Sequence, residues 1–228
     1  MANNVNKMIA DSLVPVAHLA PNASSRALRT ILQVAIEGWK QLPGARVAAA
    51  QAMQKHGAAE PAIDSMVKQH VGLAGAQGFV TNIGGLITMI VGVPANLAGG
   101  VTILQARLVA SIAHLRGYDL NDQRVRTAIA MCMVGGDDLA EALEEQGLPS
   151  SPLVIATAPV YDPMLDQKIS DRVAAELVAR MTGKGVAVAM SKRIPVLGGG
   201  GIGAAVDSYD THRVSRYARK NLPSRRTA

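Results

Sequence analysis

The chain has 228 residues and a formal net charge of +6, with 49% hydrophobic, 18% charged and 3% aromatic residues. That is too apolar for disorder and long enough for one large domain, and a single cysteine excludes a disulfide-stabilised miniprotein. The apolar mass is Ala, Val, Leu, Ile and Met rather than Tyr, Trp and Thr, which predicts an all-α fold in a single compact helical domain.

Charge is unevenly placed. Residues 1–150 carry 11 Lys/Arg against 11 Asp/Glu, whereas residues 151–228 carry 12 against 6. Base recognition in single strands needs stacking aromatics, and the basic half offers Tyr161, Tyr209 and Tyr217, too few to predict a nucleic-acid partner. Anionic lipid headgroups ask only for cations beside an apolar surface. Cys132 lies in the apolar run Thr127–Val134, without a neighbouring cation to stabilise a thiolate, so a buried, inert thiol is expected. The opening residues Met1–Lys7 lack the basic and apolar regions of a secretory signal, which points to a cytoplasmic location.

In chain order, residues 1–23 form an N-terminal segment, 24–222 a helical domain and 223–228 a basic tail. The first helix spans 24–41, with Ser24 or Ser25 as its cap and Leu28, Ile31, Leu32, Ala35 and Trp39 on one stripe. Helices over 45–55 and from Glu60-Pro61 follow. Residues 71–106 then contain no Asp, Glu, Lys, Arg or His. Pro94 divides this run into Phe79–Val93 and Ala95–Ala106, each short of the roughly 20 residues a spanning helix needs. A buried helical hairpin over 79–115 is therefore expected as the centre of the domain, with insertion into one leaflet or a true span as alternatives. Gly78, Gly85, Gly92 and Gly99 recur every seven residues, which suits close helix packing within it.

Beyond the hairpin, Asn121 or Asp122 caps a helix carrying Val125, Ile129, Cys132 and Met133, which Gly135-Gly136 ends. A short acidic helix from Asp137 closes at Gly147, and the proline-rich residues 148–164 read as a linker-like segment, either mobile or packed across the core. Helices over 166–181 and 183–194 precede a final basic amphipathic helix opening at Gly198. Its Arg213, Arg216, Arg219 and Lys220 are the candidate contacts with an anionic surface.

Residues Gly198, Gly200 and Gly203 match the spacing of a dinucleotide-binding turn, but Pro195 spoils the preceding strand and no βαβ alternation surrounds it, so no cofactor is expected. Asp207, Asp210 and His212 are the nearest approach to a catalytic or metal cluster. The five residues from Asp207 to His212 rotate about 500° around a helix, so these three side chains converge poorly on a metal and none is predicted.

Three segments together resemble the EcsC protein family: GFVTNIGGLITMIVGVPANL over 78–97, QARLVASIAHLRGYDL over 105–120, and IPVLGGGGIGAAVD over 194–207 followed by a basic helix. The family is bacterial and is named for its association with an ABC transporter operon. The resemblance implies no catalytic residues. Sequence therefore leads to the expectation of a non-enzymatic helical protein, peripherally associated with membrane lipids or a membrane complex such as a transporter. The alternatives are a small-pocket hydrolase near Gly198–His212 and a self-associating scaffold that forms a homo-oligomer.

Overall fold

The computed structural model describes residues 21–39, 42–75, 100–181 and 201–225. Among them the chain is all-α apart from one two-residue hairpin. Helix α1 runs Pro21–Glu37, three residues earlier than predicted, and buries Leu28, Ile31, Leu32, Ala35 and Ile36. It stops four residues short of expectation because Gly38 takes φ +90°. Trp39, predicted on the helical stripe, lies instead in strand β1 (Gly38–Trp39), which pairs antiparallel with β2 (Leu42–Pro43).

Helices α2 (Ala45–His56) and α3 (Ala59–Gly75) match their predicted places. Gly57, at φ +74°, ends α2, and its N–H donates to the Met53 carbonyl. Helix α4 (Gly100–Leu115) covers the second arm of the predicted hairpin. The first arm, with Gly78, Gly85, Gly92 and Gly99, lies outside the described residues. Every residue of α4 from Thr102 to Ala113 is buried, the signature of a helix enclosed on all sides. Helices α1, α2 and α3 surround it, together with α5 (Gln123–Val134) and α9 (Gly201–Asn221). Gly117, at φ +88°, turns the chain out of α4, with the Tyr118 N–H reaching back to the Ala113 carbonyl.

Asp122 caps α5, its carboxylate accepting from the Arg124 N–H. Cys132 on α5 is fully buried, and burial pushes its thiol pKa up. Helix α6 (Asp137–Glu144) follows as expected. Of the two readings of the proline-rich segment, the packed one holds: its Pro152 opens a short helix, α7 (Pro152–Ala156), which buries Ile155 and Ala156 against α5. Asp162 then caps α8 (Pro163–Met181), accepting from the N–H groups of Met164 and Leu165. Among the described residues, helix α8 packs mainly on α1 and α5, one layer out from α4. The predicted helix over 183–194 lies outside the described residues. Among those described, no helix is long and apolar enough to cross a membrane.

Candidate functional site

Helix α9 carries most of the residues singled out in the sequence. Its inner face buries Thr211, Val214, Ser215, Ala218 and Leu222 against α3, α4 and α5. The opposite face exposes Tyr209, His212, Arg216 and Lys220, spaced by three, four and four residues and therefore aligned in one stripe. Tyr209 is 72% exposed.

The four candidate cations divide into two pairs. Arg213 turns back onto Asp210 at 2.8 Å and donates to the carbonyls of Val134 and Gly135, so it fastens α9 to the end of α5. Arg219 pairs with Asp64 at 2.6 Å and Glu60 at 2.9 Å on α3. Arg216 and Lys220 point outward. Of the four candidates, Arg216 and Lys220 are the two that are exposed.

Asp210 is held on its other oxygen by the Gln105 amide of α4 at 2.9 Å, while His212 belongs to the outward stripe. Asp207 and Gly203 fall within α9, whereas Gly198 and Gly200 lie outside the described residues. Among the described residues no group of three His, Cys, Asp or Glu side chains could hold a metal ion.

Two of the buried polar groups lie apart from these candidates. Asp166 of α8 accepts hydrogen bonds from Thr127 of α5 and Tyr161, and pairs with Arg29 of α1 at 3.0 Å, so it ties three helices together. His70 of α3 is 1% exposed and donates through Nδ1 to the Met66 carbonyl at 2.8 Å. Burial, reinforced by the nearby Arg107, lowers its pKa to about 4.

The His70 shift has a predictable sign. In the unfolded chain its pKa is 6.5, against about 4 when folded, so near pH 7 both states are neutral and nothing is gained or lost. As pH falls below 6.5 only the unfolded state takes up the proton, and stability drops by about 3 kcal/mol by pH 4. Urea unfolding midpoints measured across that window should fall for the wild type and stay flatter for His70→Leu.

Searches of protein-family models, curated proteins and solved structures each find no match.

Proposed function

We propose that this is an EcsC-like, non-enzymatic helical protein that associates peripherally with anionic membrane lipids through the outward stripe of α9. The observation that carries the proposal is the composition of that stripe: an exposed tyrosine and histidine followed by two exposed cations that form no ion pair among the described residues, with no carboxylate in the stripe. From Thr211 onward the chain carries six Lys/Arg and no Asp or Glu. Tyrosine suits the headgroup layer, where its ring is in apolar contact and its hydroxyl in water. The resemblance of residues 78–97, 105–120 and 194–207 to EcsC proteins supports the same setting and suggests a membrane transport complex as neighbour. The expected place of action is the cytoplasmic face of the membrane.

Each cation near an anionic surface contributes about 1 kcal/mol, so Arg216 and Lys220 together account for about 30-fold in affinity. Sedimentation with phosphatidylserine vesicles at low salt should show that loss in the Arg216→Ala/Lys220→Ala variant. Both side chains are exposed, so its melting temperature should match the wild type. Binding by the wild type should weaken as added salt screens the surface. Equal sedimentation of variant and wild type, or none by either, would rule out the stripe as the contact.

A further inference from the structure

Arg107 is the first charged residue after the uncharged run, and it sits on the most enclosed helix of the fold. It is 7% exposed. Ser111, one turn further along α4, donates to the Ala45 carbonyl of α2, so this face of α4 looks toward α2. Gln105, roughly 200° around the helix, looks toward α9. Arg107 therefore enters the space between α2, α3 and α4, where a cavity of about 390 Å³ lies. That volume falls in the range of small-molecule sites, about 300–1,000 Å³.

The cavity has a consistent charge. Arg107, Lys55 and His56 line it, with the Gln69 amide, and no Asp or Glu does. Two of its nitrogens, Arg107 Nε and His56 Nε2, are buried without a hydrogen-bond partner. No carboxylate of the described residues forms an ion pair with Arg107. The connection between α3 and α4, residues 76–99, includes no acidic residue in its sequence. The other buried or half-buried arginines of this kind have acidic partners: Arg116 has Glu60, Arg124 has Asp122 and Arg213 has Asp210. A buried guanidinium without a counter-ion is costly, and an anion in the cavity would offset that cost.

We infer that this cavity is a binding site for a small organic anion, whose carboxylate or phosphate head meets Arg107 and whose short apolar body lies along Leu42 and Met66. The cavity exceeds what a bare inorganic oxyanion fills, and these two side chains give it an apolar wall. Charge-assisted hydrogen bonds to a planar guanidinium provide the selectivity for an oxyanion over a neutral analogue. The inference is independent of the lipid contact on α9.

The test is thermal unfolding and calorimetric titration of the full chain with hexanoate, hexyl phosphate, inorganic phosphate and hexanol at constant ionic strength. The wild type should be stabilised saturably by at least one of the two hexyl anions and not by hexanol. Arg107→Met should fold at least as well, since it removes a buried charge that no carboxylate of the described residues pairs, and should bind that anion about tenfold or more weakly. Gln69→Leu, a second lesion in the cavity wall, should also weaken binding and serves if Arg107→Met is poorly folded. Preference between the two hexyl anions assigns the head group. If Arg107→Met also loses vesicle sedimentation, the anion is borne by a lipid; if sedimentation persists, the ligand is freely diffusing. An unresponsive wild type, equal responses to hexanol and the anions, or undiminished binding in the variants would overturn the site.

Discussion

Replacing Arg116 by methionine is expected to destabilise the protein by about 3 kcal/mol, a fall of about 6–12 °C in melting temperature for a chain of this size. The residue follows α4 and is 8% exposed. Its Nη1 donates to the carbonyls of Arg219 at 2.5 Å and Leu222 at 2.9 Å, while Nε and Nη2 reach Glu60 of α3. The last carbonyls of α9 have no partner within their own helix, so a cation there satisfies them and complements the helix dipole. Leaving a buried carbonyl without a donor costs about 1–3 kcal/mol, and two are at stake. The ion pair matters less: Glu60 is 48% exposed at its side chain, and Arg219 would still hold it. Glu60→Gln should therefore cost less than about 1 kcal/mol. Chemical denaturation of both variants separates capping from charge pairing, and equal losses would contradict this division.

The second large effect is expected at Gly44, between β2 and α2. Its φ of −64° is open to any residue, so the obstacle is purely steric. A Cβ there would lie 2.5 Å from the Glu37 carbonyl carbon and 2.7 Å from its oxygen, both backbone atoms that cannot swing aside. Gly44→Ala must push α1 and α2 apart, and about 3 kcal/mol or more is expected, the upper end of overpacking costs. Gly72 in α3 is the opposite case, with nothing within 4 Å of its hypothetical Cβ. Gly72→Ala should raise stability by about 0.5–1 kcal/mol, since alanine restricts the unfolded chain and favours helix. Differential scanning calorimetry should show the two melting temperatures moving in opposite directions.

The helices were legible wherever their ends carry specific chemistry. Asp122 as a cap, Pro61 in the first turn of α3, Gly57 after α2 and the Gly135-Gly136 pair after α5 all mark boundaries through residue type alone. Trp39 was not legible, because Leu28, Ile31, Leu32 and Ala35 continue onto it at helical spacing, and only the positive φ of Gly38 breaks the pattern. The basic helix was visible, but the division of labour among its arginines was not. Arg213 and Arg219 meet partners on α5 and α3, 79 and 155 residues away in sequence, and no local pattern encodes such pairs. Arg107 and Asp166 were hidden for a related reason. A charged residue on a helix reads as a point where that helix reaches water, whereas here both charges turn inward.

The grip of Arg116 on the end of α9 also bears on how the chain is made. It joins groups 106 residues apart, so during synthesis this contact stays open until Leu222 has emerged from the ribosome. At about 5–20 residues per second, that interval lasts roughly 5–20 s. Throughout it the faces of α3 and α4 that α9 will cover stand bare, in a nascent chain whose central helix is built to be surrounded. The protein should therefore depend on chaperones that shield apolar segments on the ribosome, and a chain cut before α9 should aggregate rather than persist as a smaller soluble domain.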